Sequence, residues 1–339
     1  MSNKDLIIIN NEKISKEIFY YCDNVDMQSI PEGLNKNFDV TVIARSSKKK
    51  RTRKINLQNI KIATNIFSFL NFILKTFKKN KAIYLIISIT PYTFLSYIFL
   101  FIFRKNVFLY LRSNGHEEYK AIFGIIGKAI YYFMFKIVTT KSKVITCQER
   151  IFPLKKSHIV FPSELNSLWL KDLKKPLLDK IKILYVGRLK IEKGIFSLLE
   201  ILKDIQIDLE LSIVGEKENF KYDNKKVNFI GYGYTAPDLI KIYDSHNIFI
   251  LPSFTEAHPK VIDESLARMR PVIIFEDIKH IVQNKKGIFV SKRNIISLEK
   301  TINFIINNYE NIQESMTKNN LPTKKDFISK LSNILSPIQ

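Results

Sequence analysis

The sequence predicts two doubly wound, Rossmann-like α/β domains, and three observations lead there. Short apolar strands alternate with helical stretches in both halves of the chain. At 339 residues the chain is long enough for two separate cores. The alternation lapses once, near the middle, in FPSELNSLWLKDLKKP, which holds two prolines and mixed polarity. The domains therefore read as 1–160 and 179–310, joined by a linker over 161–178. A helical tail over 311–339 is placed to pack back on the first domain.

In the first half, DLIIIN (5–10) and DVTVIA (39–44) read as buried strands with a helical or irregular link between them. Residues 61–79 read as an amphipathic helix with Ile62, Ile66, Phe69, Leu70, Ile73 and Phe77 on its apolar face. Its last turn is lysine-rich, which suits the helix dipole and an acidic membrane surface. Residues 82–103 carry no charge over 22 positions, enough for a membrane span. Ser88, Thr90, Pro91, Thr93 and Ser96 break that run, and AIYLIISI is rich in β-branched residues. The preferred reading is a buried strand, a turn at Thr90-Pro91 and a helix to Phe103, with a span as the alternative. NVFLYLR is then a strand, Ser113-Asn114-Gly115-His116 a loop, and 117–138 a helix. Its aromatic cluster YYFMF reads as core, or as a lipid-interface belt if exposed.

In the second half, IKILYV (181–186), 208–214, 227–230 and 248–251 read as strands, with helices over 194–205 and 236–245. A further strand-loop-helix-strand unit follows from LPSFTEAHPKVIDESLARMRP and PVIIF. Residues 298–311 and 325–335 close the chain as helices.

The net charge is +22, and it is uneven. Residues 1–160 hold 27 Lys/Arg against 10 Asp/Glu, a net of +17, and the rest 27 against 22, a net of +5. No acidic residue stands between Asp39 and Glu117, a window that contains KKKRTRK. Such a surface seeks an anionic partner, an acidic lipid leaflet or nucleic acid. Cys22 and Cys147 lack metal-ligand spacing and read as reduced thiols of a cytosolic protein. The apolar run in MSNKDLIIINNEK is too short for a secretory signal. Walker, metal-cluster and Asp-x-Asp patterns do not occur, so no metal is expected.

The residues suited to chemistry lie in loops that follow strands, where doubly wound folds open on one face. Gly187-Arg188-Leu189 with Glu192-Lys193-Gly194 offers a close backbone approach, a fork of donors and a point charge, a set suited to a diphosphate. Gly194 opens a helix whose first amides favour an anion. Gly215-Glu216 is the second loop, and Gly231-Tyr232-Gly233-Tyr234 the third. Glu256 and Glu264, with seven residues between them, put one carboxylate in a loop and the other about two turns further along the chain.

The ordered set YVGRLKIEKG, SIVGE, NFIGYGY and LPSFTEAHPKVIDESLA followed by RPVI resembles the C-terminal domain of GT-B glycosyltransferases, in particular the retaining family 4. The resemblance covers about 181–290. It implies two Rossmann-like domains facing across a cleft and a nucleotide-sugar donor, UDP- or GDP-linked, with no other cofactor. By it Arg188 and Lys193 bind the donor diphosphate and stabilise the leaving nucleotide, in place of a metal. Gly187 and Gly231 lie close to the donor, Glu256 lies against its sugar, Pro259, Lys260 and Val261 approach sugar or phosphate, and Glu264 accepts from the ribose hydroxyls. Where the family often carries Gly-Phe-Pro or Gly-Leu-Pro after the first Glu, this chain has Ala257-His258-Pro259, with His258 read as a tolerated loop residue. Asn10-Asn11-Glu12 stands where a glycine pair is often seen. His116 is the candidate acceptor-side base, in competition with Arg112, Ser113 and Asn114.

The resulting expectation is a metal-independent, retaining transferase acting on a lipid-linked or surface-polysaccharide acceptor. It would lie in the cytoplasm, docked peripherally on the anionic inner face of the membrane, and would take no nucleic acid. The alternatives are a nucleotide-sugar epimerase on the same scaffold and a basic module that binds membrane or nucleic acid without catalysis.

Overall fold

The structure is a computed structural model that describes residues 4–79, 81–153, 157–215, 222 and 224–336. Two compact units share the chain: residues 1–162 with 325–339, and residues 163–324.

The first unit begins with β1 (Lys4–Lys16), β2 (Tyr20–Cys22), α1 (Val25–Leu34), β3 (Phe38–Ser46), β4 (Arg53–Ile55), β5 (Ile60–Ala63) and α2 (Ile66–Thr76). It continues with β6 (Ile83–Ile87), α3 (Pro91–Ile102), β7 (Asn106–Leu111), α4 (Gly115–Lys141), β8 (Lys143–Thr146) and β9 (Ser157–Ile159). Among the described residues the parallel strands run in the order β5-β3-β1-β6-β7-β8-β9. The order reverses between β1 and β6, which makes that point a ligand crevice by topology. Past a register shift after Ile9, β1 runs on to carry an antiparallel ribbon with β2 and β4. The link expected to be helical or irregular is therefore partly strand, followed by α1.

Residues 82–103 form a strand, a turn and a helix. Thr90 caps α3 in a reciprocal box with Thr93, and Pro91 takes the first turn, where its missing amide costs nothing. The helix expected over 61–79 starts later. Ile60 to Ala63 pair with β3, and Asn65 caps α2 through a second box with Ser68.

α4 is two antiparallel limbs rather than one rod. Gly124 (φ 66°, ψ −155°) reverses the chain, so the His116 and Tyr131 rings lie 4.8 Å apart and Tyr119 and Tyr131 5.0 Å apart. In an unbroken helix residues 116 and 131 would be about 22 Å apart. This is the one helix among the described residues with the length and hydropathy of a membrane span. The YYFMF cluster divides: Tyr131 and Met134 are buried, whereas Tyr132 and Phe133 are exposed.

The second unit runs α5 (Ser167–Leu170), β10 (Ile181–Val186), α6 (Ile195–Lys203), β11 (Leu209–Val214), β12 (Val227–Gly231), α7 (Ala236–Asp244) and β13 (Ile248–Leu251). Then come α8 (Lys260–Ala267), β14 (Val272–Phe275), β15 (Ile288–Ser291), α9 (Ile295–Asn307) and α10 (Tyr309–Met316). Its sheet is parallel throughout, in the order β12-β11-β10-β13-β14-β15. The order reverses between β10 and β13, and the loops after these two strands open at that point.

The stretch read as a linker is packed here. Trp169 is buried in this core with its ring edge-on to Tyr243 at 5.7 Å. Arg268 and Arg270, both buried, hold the same stretch by its carbonyls, Trp169, Lys171 and Asp172 for the first and Lys174 for the second. The last helix, α11 (Lys324–Leu335), returns to the first unit. There Phe327, Leu331 and Leu335 share a core with Met27, Ile30 and Leu34 of α1. Each such side chain contributes about 1.5–3 kcal/mol through burial.

Candidate functional site

Two loops meet at the switch point of the second unit. The first follows β10: Gly187 donates its amide to the Val214 carbonyl at 2.9 Å, and the Tyr185 hydroxyl donates to the Arg188 carbonyl at 2.9 Å. A single 3-10 turn, Ile191–Lys193, then leads into α6 through Gly194. Gly194 has φ 65°, and a Cβ there would lie 1.9 Å from the Pro252 carbonyl oxygen. Only glycine permits that conformation and that approach. The second loop, after β13, is stitched to the first by the Phe254 amide, which donates to the Glu192 carbonyl at 3.0 Å.

This nesting brings together two charges that stand 63 positions apart. Lys193 Nζ lies 2.5 Å from Glu256 Oε1, and the carboxylate is only 11% exposed. Ser253 Oγ donates to the same oxygen at 2.8 Å, and His280 Nε2 lies 3.0 Å from the Glu256 carbonyl oxygen. Arg188 stands apart: its side chain is 65% exposed and its nearest ion-pair partner is Glu192, at 3.9 Å. Gly231 ends β12 at φ 118° and accepts from the Gly215 amide at 2.8 Å, so the three loops are linked laterally. Glu216 lies outside the described residues.

Pro259 precedes α8, and Lys260 and Val261 form its first turn. Lys260 Nζ is 3.5 Å from Glu164. Asp263, buried, accepts from Lys285 Nζ at 2.6 Å and pairs with His258 Nε2 at 2.9 Å. Burial pushes its carboxyl up, but His258 and Lys285 outweigh that, and the result is a carboxyl below its ordinary value. His258 is therefore tied inward to α8.

Glu264, further along α8, is a different carboxyl. Burial pushes it up to about 7 against the hydrogen bond from Tyr243, at 3.1 Å, and the charge of Lys260. The sign of the pH effect follows. Between about 4.5 and 7 the folded state keeps a proton that the unfolded chain releases, so this contribution to stability is complete below 4.5 and lost as pH rises through 7. Glu264→Gln keeps the acceptor for Tyr243 and cannot ionise. At pH 8 it is expected to exceed wild type by up to about 3 kcal/mol in urea unfolding, with the gain vanishing near pH 4.5. A gain of the same size at both pH values would contradict this account.

Several supporting residues were not singled out from the sequence. Arg293, just past β15, has its guanidinium carbon 4.1 Å from the Phe254 ring centre and 4.3 Å from that of Phe275, and donates to the Pro252 carbonyl at 3.0 Å. Ser253, His280, Tyr243 and Lys285 are likewise recruited from scattered positions. A cue for Arg293 was its place at the carboxyl end of a strand, on the face where the other loops open.

The first unit has its own cavity, of about 290 Å³, at the β1/β6 switch point. Asn10, Asn11, Glu12, Asn24, Ser88, Thr90, Arg112, Ser113 and Glu118 are among its lining residues. Arg112 is ion-paired with buried Asp26, and burial raises the Glu12 carboxyl above its ordinary value. Carboxyl, guanidinium, amide and hydroxyl groups around one hollow suit a polyhydroxylated ligand. His116 does not line it. Its ring is nested among Tyr131, Tyr132 and Phe135, where burial first and Lys128 second lower its pKa. Of the acceptor-side candidates, Arg112 and Ser113 reach the cavity.

A parallel sheet in the order 3-2-1-4-5-6, with glycine-led and basic loops at its switch point, is the build of a nucleotide-binding domain. Residues 171–321, nearly the whole of this unit, match the family model described as Glycosyl transferases group 1. An uncharacterized glycosyltransferase of Haemophilus influenzae is 32% identical over 215 residues, 57% of this chain and 60% of that protein. The capsular polysaccharide biosynthesis glycosyltransferase CapM of Staphylococcus aureus is 29% identical over 161 residues, 43% of this chain and 41% of CapM. The chain thus spans less than two thirds of the length of the curated relatives it matches. Among solved structures, Anabaena HepE in complex with UDP and glucose superposes with a TM-score of 0.72 at 12% identity, covering 99% of this chain and 100% of that one. The chain has the GT-B fold of two Rossmann-like units.

Proposed function

We propose that the protein transfers a sugar from a UDP- or GDP-linked donor, with retention of configuration, to a lipid-linked or surface-polysaccharide acceptor. The observation that carries this reading is the Lys193–Glu256 pair at the second unit's switch point, held by loops that also supply Arg188 and Gly187. Arg188 and Lys193 face the donor diphosphate and offset the charge that builds on the leaving nucleotide, which makes a metal unnecessary. Glu256 lies against the sugar, and Glu264 accepts from the ribose. The first unit's polar cavity takes the acceptor glycan. HepE, with UDP and glucose, supports a nucleotide-sugar donor, and CapM, by its name, a polysaccharide product. The basic first half supports peripheral docking on an anionic cytoplasmic leaflet.

A panel of UDP- and GDP-sugars tests this. One donor is expected to raise the unfolding temperature saturably by mass action. Arg188→Ala is expected to weaken that donor about tenfold or more. Product analysis without added acceptor separates transfer from epimerisation. No response to any donor, with Arg188→Ala behaving like wild type, would sink the assignment.

A further inference from the structure

We infer that the reversed helix α4 is a membrane-insertion wedge whose tip, 122–126, enters an anionic leaflet. The inference deepens the proposed peripheral docking by naming the element that makes it, and it does not depend on the donor reading. The tip sequence is Ile-Phe-Gly-Ile-Ile, and it is uncovered: Ile122 is 68% exposed, Phe123 64%, Ile125 81% and Ile126 75%. Four large apolar side chains on one turn is a costly surface to leave in water unless something covers it.

The reversal at Gly124 decides what covers it. The limbs 115–123 and 125–141 are about 14 and 26 Å long, short of a hydrocarbon core of about 30 Å. They also lie against each other, through His116, Tyr119 and Tyr131 and through Lys128 Nζ, 3.5 Å from Glu117. Gly127 permits the close approach: a Cβ there would lie 2.5 Å from the Tyr119 carbonyl oxygen. A hairpin of this kind enters a bilayer tip first and does not cross it.

Charge selects the leaflet. No acidic residue stands between Glu118 and Glu149, whereas Lys120, Lys128, Lys136, Lys141 and Lys143 do. Lys120 and Lys128 bracket the tip, where long stems let ammonium groups reach headgroup phosphates while the isoleucines sink about 5–10 Å into the headgroup and acyl boundary. Glu118, one turn before the tip, lines the first unit's cavity together with Ser113. Insertion therefore sets that polar hollow beside the lipid surface, where a membrane-borne glycan is presented.

The test uses the full chain and vesicles with and without 30 mol% anionic phospholipid, a composition in the range where surface potential is worth about 1 kcal/mol per lysine. Wild type is expected to float with the anionic vesicles and to be weakened by salt. The variant I122S/F123S/I125S/I126S, altered only at exposed positions, is expected to lose at least about tenfold in partitioning while keeping its unfolding temperature. F101S/I102S, altered at exposed apolar residues of α3, is expected to bind as wild type. An environment-sensitive dye on I125C is expected to shift to the blue with anionic vesicles. The inference is overturned if the tip variant floats as wild type, if the dye stays in water, or if F101S/I102S alone abolishes binding. It is equally overturned if wild type is a dimer that the tip variant makes monomeric, with vesicle binding unchanged.

Discussion

Glu256→Ala is expected to lower kcat by about 10²–10³-fold while changing the donor KM by less than about threefold. Glu264→Ala is expected to do the reverse, raising KM with kcat nearly kept. The first expectation rests on the contact at 2.5 Å between Glu256 and Lys193. Lysine carries its charge on a flexible four-carbon stem, and in this chain the Glu256 carboxylate, itself held by Ser253, fixes where that charge sits. On the proposed reading, loss of the carboxylate leaves the ammonium unpositioned for the charge that develops in the transition state. Lys193→Ala should cost a similar factor, because it removes the charge itself. The same reading makes the two one unit, so the double variant should lose little more than either single one. Steady-state kinetics over the four-member cycle measures this directly. Fully additive losses would mean that Lys193 and Glu256 act separately, and a KM effect for Glu256→Ala would reassign it to donor binding.

Arg268→Ala is expected to remove about 3–5 kcal/mol of stability, the cost of stranding a buried partner charge. The guanidinium is 1% exposed and uses its whole fork. Nε and Nη2 reach the Asp244 carboxylate at 2.9 and 2.7 Å, Nη1 reaches the carbonyls of Trp169 and Lys171, and Nη2 also reaches Asp172. Alanine leaves Asp244 with Arg270 at 3.8 Å as its remaining ion pair. Lysine should not rescue, because a point charge cannot satisfy acceptors arranged around a planar fork. Urea unfolding followed by fluorescence reads both the global and the local effect, since Trp169 is the only tryptophan and sits under the arginine's carbonyl contacts. A midpoint equivalent to less than about 1 kcal/mol of loss would show that the segment is held by Trp169 packing alone.

The strands of the second unit were legible because buried parallel strands read as unbroken apolar runs between charged or glycine-marked ends. IFIL and VIIF are of that kind, IKILYV is interrupted only by Lys182 and LELSIV by Glu210 and Ser212, and the strand-turn-helix over 82–103 followed from β-branched residues ahead of a proline. The misjudged boundary at 61–79 has a specific cause. Ile60, Ile62 and Ala63 lead straight into the apolar face of α2, so strand and helix merged into one apparent period. The cap Asn65-Ser68 was the available signal. Gly124 gave none, since a glycine inside an apolar helical run looks the same whether the helix continues or reverses.

Of the candidate site, sequence order identified Gly187, Arg188, Lys193, Glu256 and Glu264 as loop and helix residues at the ends of strands. Residue type and spacing settle which chemistry a loop can hold and where along the fold it falls. Only the tertiary structure decided which of them touch. It pairs Lys193 with Glu256, leaves Arg188 in solvent, ties His258 to Asp263 and sets His116 among aromatic rings away from the cavity. Those outcomes depend on close approaches between segments distant in sequence, such as Gly194 against the Pro252 carbonyl. A local pattern carries no information about distances that the packing of other elements sets.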